Sequence, residues 1–579
     1  MRIMTETSIK IHPRKPRHQL KGRQPTDAAR AEVRALIGEP PSDGHRRDWL
    51  IEHLHVLNDR FHGLFERHLV ALAAEMRLSM AEVFEVASFY HHFEVLKDDA
   101  TPARVTVRVC ESLSCQLAGA EGLIDRLAAL VGPGVQVQRA PCVGRCEQAP
   151  AALVWAGEHT TSIGHAHAER LADHANNSTN TQQKQASNAP EAIAFDAYRQ
   201  AGGYALAQAV ARGERDAEGV IAALEHAGLR GLGGAGFPTG RKWRIVRGLA
   251  APRLMAINID EGEPGTFKDR YYLERDPHRF LEGVLIAAQV VGCEAAYLYL
   301  RDEYPECRAI LSQAVADLQA APGLRSMLPR IELRRGAGAY ICGEESAMIE
   351  SIEGKRGEPR LRPPYIAEVG LFGRPTLQHN FETLYWLRDI LQRGPDWFAS
   401  HGRHGRQGLR SFSVSGRVKK PGVKLAPAGI TLRELVDEYC GGMAEGHTLY
   451  AYLPGGASGG IFPASLADVP LDFDTLQPHG GFIGSAAVIV LGQHDTARDA
   501  ALNMMRFFAD ESCGQCTPCR VGTAKAAQLM QAPVWDADTL NDLGTVMADA
   551  SICGLGQAAP NPVRCVQKYF AHEVTEGAR

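Results

Sequence analysis

The sequence predicts a multidomain protein of mixed α/β and α+β class. Three observations carry this. The chain has 579 residues, enough for roughly four domains of typical size. From Leu254 to Ile352, short apolar runs of strand length alternate with helical periodicity, as in a mostly parallel sheet with helical connections. A polar low-complexity tract at 175–195, containing Asn176-Asn177-Ser178-Thr179-Asn180, separates that region from what precedes it. The formal net charge is −4, so no global field points to nucleic acid or a membrane surface. No apolar run approaches the roughly 20 residues that span a bilayer; the longest, Phe482 to Leu491, reads as a buried strand. Met1 to Arg23 is basic but lacks an apolar core, so no secretory signal is read and a cytoplasmic location is expected.

Residues 1–45 carry Lys, Arg and Pro with little periodicity and are expected to form a basic mobile arm. Residues 46–98 are helical in pattern: Trp49, Leu50, Leu54, Leu57 and Phe61 recur at helical spacing, and Ser79-Met80-Ala81-Glu82 has the form of a capping box. His53, His55, His91 and His92 have no Cys or carboxylate at ligand spacing and read as structural or exposed, not as ligands.

The chain has thirteen cysteines. Without a secretory signal, clustered cysteine favours metal ligation over disulfides. Arg104 to Val109 alternates as a strand and delivers Cys110; a helix (Glu121 to Val131) and a second strand (Val135 to Arg139) then lead to Cys142. The pattern Cys110-x4-Cys115 with Cys142-x3-Cys146 admits tetrahedral zinc or a [2Fe–2S] cluster, and the wide spacings suit the cluster better than a zinc knuckle does.

Next comes a glycine-rich loop. Six glycines fall between Gly228 and Gly240, and Arg241-Lys242 follow. Glycine lets backbone N–H groups face a ligand, and such a loop opening a helix can cradle phosphate. An acidic segment follows at Asn258 to Gly265, then a second glycine segment at Gly336 to Glu345. Residues 408–493 alternate short strands with turns. From Thr496 the chain reads as helical and carries Cys513-x2-Cys516-x2-Cys519, with Cys553 in Ser551-Ile552-Cys553-Gly554. Three thiolates within seven residues plus a distant fourth form a [4Fe–4S] pattern.

Taken together, the two glycine segments, the acidic segment and both cysteine sets resemble the flavin- and NADH-binding chain of respiratory complex I joined to its ferredoxin-like neighbour. The resemblance covers about 46–579. It implies a thioredoxin-like [2Fe–2S] domain with a helical bundle (46–174), a linker (175–195), a Rossmann-like FMN/NADH domain (196–407), a ubiquitin-like β-grasp insert (408–493) and a C-terminal helical [4Fe–4S] domain (494–579). The implied cofactors are FMN, NAD, one [2Fe–2S] cluster on Cys110, Cys115, Cys142 and Cys146, and one [4Fe–4S] cluster on Cys513, Cys516, Cys519 and Cys553. By the same resemblance, FMN contacts fall on Gly231, Gly233, Gly234, Lys242, Asn258, Asp260, Gly343, Glu344, Asn380 and Thr383. NAD contacts fall on Phe237, Glu261, Glu263, Glu345 and Tyr365. Acid near the adenosine ribose bonds its hydroxyls and repels a 2′-phosphate, favouring NAD over NADP. No protein acid or base is assigned, because FMN supplies the hydride chemistry. Two positions depart from the family pattern: His379 precedes Asn380 where a second Asn is usual, and Ile245 stands where some relatives have an aromatic residue.

Fused relatives include the diaphorase chain of NAD-reducing hydrogenases and the β chain of NAD-dependent molybdenum or tungsten formate dehydrogenases. The tracts Arg253 to Asp269, Tyr299 to Pro305 and Tyr452 to Gly460 look closest to the latter. The expectation is a hetero-oligomer in which a pterin-bearing α chain oxidises formate and this chain delivers the electrons to NAD⁺. A hydrogenase diaphorase or a complex I module is the alternative. An electron-transfer module with a decayed flavin site is the non-enzymatic one, and His379 is its only support.

Overall fold

The computed structural model describes residues 22–178 and 191–575. Residues 1–21 of the expected arm and most of the expected linker lie outside the described residues.

The rest of the arm corrects the sequence expectation. Asp27–Ile37 is a helix, N-capped by the Thr26 side chain, which accepts from Ala29 N. Ala29 and Val33 are buried one turn apart, and Leu36 and Ile37 pack against the same core. Arg30 and Arg34 reach the buried Glu75 carboxylate at 3.2 and 2.8 Å. The apolar stripe is narrow and set among charges, so its periodicity is hidden in composition. Helices Leu50–Phe61, Glu66–Met76 and Met80–Ala87 follow, the last with the expected capping box between Ser79 and Glu82.

The first cysteine set sits on a four-stranded sheet. Val105–Cys110 pairs in parallel with Val135–Ala140 and antiparallel with Ala152–Ala156, which pairs with His159–Ile163. Val105, Val107 and Val109 point to one face, which helices Ala120–Leu130 and Ala168–Ser178 cover. This is the thioredoxin-like arrangement. Helix Ala168–Ser178 carries ordered chain past the expected domain limit at 174.

The second sheet is wholly parallel, in the order Thr376–Asn380, Arg253–Ile259, Cys293–Leu300, Arg330–Arg335. Its two central strands, Arg253–Ile259 and Cys293–Leu300, are largely apolar on both faces, as a sheet covered on two sides requires. Met255, Ile257 and Ile259 belong to the core of helix Pro277–Val291, while Leu254 and Ala256 face the core that holds helix Glu345–Ile352.

The third sheet has the order Gly422–Pro427, Leu409–Gly416, Ala487–Gly492, Leu449–Leu453, Phe462–Pro463, with Leu409–Gly416 and Ala487–Gly492 parallel. This order and the helical turn Leu432–Tyr439 make a β-grasp. The strand expected over Phe482 to Leu491 is shorter, because Gly484 and Ala486 take positive φ and break the extended run before Ala487. Helices Ala497–Asp510, Thr517–Leu529, Ala537–Ala550 and Asn561–Tyr569 form the C-terminal bundle. No helix among the described residues is long and apolar enough to cross a membrane.

Candidate functional site

A cavity of about 630 Å³ opens at the C-terminal ends of strands Arg253–Ile259 and Thr376–Asn380, where parallel sheets place ligands. The glycine-rich loop, the acidic segment, the second glycine segment, the β-grasp insert and Gly554-Leu555 from the C-terminal bundle all line it. All the expected FMN and NAD residues line it except Thr383 and Tyr365.

The loop is shaped from within. Gly231 N donates to Phe237 O at 2.9 Å, and Leu232 N donates to Thr383 Oγ1 at 3.0 Å. Thr383 is therefore fully buried beneath the loop and shapes it instead of facing the cavity. Gly234 has φ +143° and open space where a Cβ would stand, so it leaves room there that any other residue would fill. The loop runs into helix Thr239–Arg247. On its first turn, Lys242 Nζ donates to Gln378 O at 3.1 Å, and burial lowers its pKa while Glu345 opposes the shift.

Asn258 Nδ2 donates to Gly343 O at 2.7 Å, and Asn258 Oδ1 accepts from Asp260 N at 2.9 Å. Asp260 has no such closure: its Oδ2 is buried without a hydrogen-bond partner, and burial holds its carboxyl well above the usual range. An unpartnered buried carboxyl costs free energy unless a ligand satisfies it. The glycine cradle, Lys242 and this open acid fit a flavin phosphate and a hydrogen-bonding ring or ribityl edge. When bound, FMN exchanges hydride with nicotinamide and single electrons with iron–sulfur centres.

The acids divide by what they already hold. Glu261 accepts from Asp269 N at 2.8 Å, Arg270 N at 3.1 Å and Tyr304 OH at 3.0 Å, so its carboxylate closes the start of helix Lys268–Leu273. Glu263 accepts from Ser458 N at 2.9 Å and from the Tyr340 hydroxyl, tying the β-grasp insert to the flavin loop. Glu344 caps helix Glu345–Ile352 through Ser346 N and Ala347 N, both at 2.9 Å. Glu345 is the freest of the four; it pairs with Arg362 at 2.8 Å and holds no backbone N–H. Tyr365 is 55% exposed and Phe237 39%, so the structure does not bring the two aromatic residues into one closed slot.

His379 has a structural partner. Trp243 Nε1 donates to His379 Nε2 at 2.7 Å, and the ring is buried and held neutral, first by burial and then by Lys242. Its ring nitrogen thus accepts, and the position is built, not decayed.

Sequence reasoning missed two groups on the cavity wall. The first is Lys268, whose ammonium stands 2.7 Å from Asp269 and 3.0 Å from Glu382, with Asn380 Nδ2 donating to Asp269 at 2.6 Å. The tract Phe267-Lys268-Asp269 offered only a charged pair at a helix start. The second is the insert's tip: Arg230 pairs with Asp474 at 2.8 Å and lies over the Phe473 ring at 4.3 Å. No local signal could link positions that far apart in sequence.

Cys110, Cys115, Cys142 and Cys146 are free thiols and all buried. Cys142 and Cys146 Sγ atoms are 3.4 Å apart, and Gly144 N donates to Cys142 Sγ at 3.4 Å. Interaction with Cys115 and Cys142, and then burial, raises the Cys110 thiol well above its usual range. Cys142 and Cys146 pack on Phe267, between Thr266 and Lys268 of the cavity wall. Arg301 Nη2 donates to Cys142 O at 2.6 Å, and Arg270 Nε to Gly144 O at 2.9 Å. A Cβ at Gly144 would run into the Tyr304 hydroxyl and ring, which is why glycine stands there.

In the second set, Cys516 and Cys553 sit at the N-termini of helices Thr517–Leu529 and Gly554–Ala558. A Cβ at Gly556 would come within 2.9 Å of Cys519 Cβ. Burial pushes the Cys519 thiol up to about 11 and Cys553 to about 12. Among the described residues no three His, Cys, Asp or Glu converge tightly enough to hold a single metal ion. The sets are proposed as cluster ligands on spacing and proximity.

Four family models match the chain: "Thioredoxin-like [2Fe-2S] ferredoxin" at 34–176, "Nuo51 FMN-binding domain" at 224–389, "SLBB domain" at 411–462 and "NADH-ubiquinone oxidoreductase-F iron-sulfur binding region" at 499–577. An NADH-quinone oxidoreductase chain of Rhizobium meliloti is 40% identical over 401 residues, 66% of this chain and 94% of the relative. The mitochondrial NADH-ubiquinone oxidoreductase 51 kDa subunit of Neurospora crassa is 40% identical over 375 residues, 61% of this chain and 76% of the relative. A chain in a crystal structure of an NAD⁺-reducing [NiFe]-hydrogenase in the H₂-reduced state superposes with TM-score 0.80 at 32% identity. That match covers 91% of this chain and 93% of the other.

Proposed function

Because this chain belongs to the family of the NADH-ubiquinone oxidoreductase 51 kDa flavoprotein, with a thioredoxin-like [2Fe–2S] ferredoxin ahead of it, we propose that it is the diaphorase subunit of an NAD-dependent formate dehydrogenase. It passes electrons from a molybdenum or tungsten pterin chain through its clusters and FMN to NAD⁺. The observation that supports the electron route is the cavity wall: Gly554 and Leu555, next to Cys553, line the same space as the glycine loop. The segment that follows Cys553 therefore forms part of the flavin cavity's wall. The tracts Arg253 to Asp269, Tyr299 to Pro305 and Tyr452 to Gly460 support formate as donor.

A second reading, the diaphorase of an NAD-reducing hydrogenase, is favoured by the structural likeness that spans both halves of the fused chain. Purifying the native complex and assaying NAD⁺ reduction with formate and with H₂ separates the two. Reduction by H₂ alone overturns the formate reading.

Within this function the chain's residues bind and orient. Lys242 and the loop N–H groups hold phosphate, and Glu345 faces the dinucleotide. Glu345→Gln removes the least committed of the four glutamates on the wall. The NADPH/NADH ratio of kcat/KM is expected to rise by roughly tenfold, about 1.4 kcal/mol of relieved repulsion. An unchanged ratio removes Glu345 from cofactor choice.

For the first cysteine set, a rhombic [2Fe–2S] EPR signal is expected on reduction, and Cys115→Ser abolishes it while NADH:dye activity with FMN retained survives. The first cluster is thus read as lying beside the main electron path, and this side position does not rest on distance, since Cys142 and Cys146 pack directly on Phe267. It rests on Gly554 and Leu555, which reach the cavity from the other set. Loss of dye activity in a flavin-replete Cys115→Ser chain contradicts it.

A further inference from the structure

We infer that Arg301 is a positioning residue that holds the reduction potential of the [2Fe–2S] cluster up, by fixing a buried positive charge against the Cys142 loop. The inference rests on the assignment of that cluster to Cys110, Cys115, Cys142 and Cys146. The step concerned is the gain of one electron by the cluster, with NADH as the source by way of FMN. Each NADH supplies two such electrons and leaves NAD⁺ and H⁺. The cluster's gain makes and breaks no bond in the protein, but it adds one negative charge to a buried site. A cation close by favours the reduced form over the oxidised one.

The cysteine loop fits such a group. Its four thiols are free and buried, and Gly144 N donates to Cys142 Sγ at 3.4 Å, a bond that favours a sulfur carrying negative charge. Arg301 follows strand Cys293–Leu300 and is 3% exposed. Its Nη2 donates to Cys142 O at 2.6 Å, and its Nη1 donates to the backbone oxygen of Glu261, a residue of the cavity wall. One guanidinium therefore bonds both a cluster-ligand residue and the flavin cavity's wall. Its Nε donates to Glu303 Oε2 at 3.1 Å, and Nη2 stands 2.9 Å from Glu303 Oε1. Glu303 is buried as well and is shared with His92, whose Nε2 is 3.8 Å away.

Two other arginines grip the same loop, and their charges are spent differently. Arg270 Nε donates to Gly144 O at 2.9 Å, but its remaining nitrogens are taken by two carboxylates, Glu147 and Glu274. Arg145, inside the loop, faces Glu274 at 3.5 Å and Glu306 at 3.3 Å. Among the described residues Arg301 pairs with Glu303 alone, and it bonds a ligand residue itself. A clamp needs only hydrogen bonds, which neutral donors supply without the cost of burying an ion. A guanidinium, always charged, adds a field that a neutral clamp lacks.

The test is a mediated redox titration of the full chain, loaded with FMN and clusters and followed through the rhombic [2Fe–2S] EPR signal. Iron and flavin content are measured for each variant. Arg301→Gln removes the charge. The ratio of reduced to oxidised cluster at a fixed potential is expected to fall by roughly tenfold, a downward shift of about 59 mV for a one-electron couple. Arg301→Lys keeps a charge, with Glu303 still its partner, and its midpoint stays near the wild-type value. Glu303→Gln keeps the shape of the pair, leaves the cation less neutralised and moves the midpoint upward. Loosening of a clamp does not give shifts of opposite sign, because both glutamine variants weaken the same bonded pair. Where Arg301→Gln fails to hold its cluster, the other two variants decide. An unchanged midpoint with lysine and a raised one in Glu303→Gln support the inference. Equal or same-sign midpoints in the two glutamine variants overturn it, as does a Glu303→Gln midpoint that does not rise or a lysine variant that falls as far as glutamine; the cluster assignment then stands. A wild-type chain with no rhombic signal on reduction by dithionite overturns the cluster assignment and the inference with it.

Discussion

Cys519→Ala leaves NADH able to bleach the bound flavin in a single turnover and reduces donor-driven NAD⁺ reduction by the complex to background. Hydride exchange between nicotinamide and flavin needs no cluster, whereas electrons from another chain arrive singly and need one. Cys519 is the buried member of its set, on the first turn of helix Thr517–Leu529, with Ser512 Oγ 3.3 Å from its Sγ. Alanine removes the sulfur and leaves the helix intact, since Thr523 Oγ1 donates to the backbone Cys519 O at 2.8 Å. The measurement pairs iron and flavin content with stopped-flow bleaching and donor-dependent turnover. A purified variant that lacks the [4Fe–4S] cluster yet reduces NAD⁺ at the wild-type rate shows that electrons reach the flavin by another route. The [2Fe–2S] set beside Phe267 is then the candidate.

Cysteine spacing, glycine runs and strand alternation made the architecture legible. Val105–Cys110 lies within one residue of its expected bounds, because its alternating run ends at a candidate ligand. Helix Asp27–Ile37 was not legible: its stabilising contact, Glu75, comes from another helix. The site was legible as a set of residues but not as roles. Glu261 and Glu344 stand in acidic tracts that read as ligand-binding, yet their oxygens are taken by backbone N–H groups at helix starts. Which acid remains open is decided by tertiary hydrogen bonding, which no local pattern encodes. Thr383 and Phe473 illustrate the same limit from the opposite side, one hidden under the loop and the other supplied by a domain far along the chain.

Lys268→Met is expected to cost about 3–5 kcal/mol of stability, the usual result of breaking a buried charge network from one side. Lys268 is 1% exposed. Burial alone lowers its pKa, and Asp269, Glu382 and Glu261 together more than reverse that, so the ammonium stays charged. Its removal leaves Asp269 and Glu382 facing each other across an apolar methionine. Glu382 retains Trp386 Nε1 and Ser411 N as donors, both at 3.2 Å, whereas Asp269 keeps only Asn380 Nδ2 and its own helix start. Asp269 therefore carries most of the uncompensated charge. Lys268→Met combined with Asp269→Asn is expected to recover at least about 1–2 kcal/mol, because the amide oxygen still accepts from Asn380 and the charge stranded on Asp269 is gone, leaving only that on Glu382. Denaturant unfolding followed by flavin release and by tryptophan fluorescence checks both variants. FMN leaves the single variant earlier, since Lys268 Nζ no longer donates to Asn380 Oδ1, a 3.4 Å contact on the cavity wall. A double variant no more stable than the single one shows that Lys268 contributes through packing of its methylene stem, not through its charge.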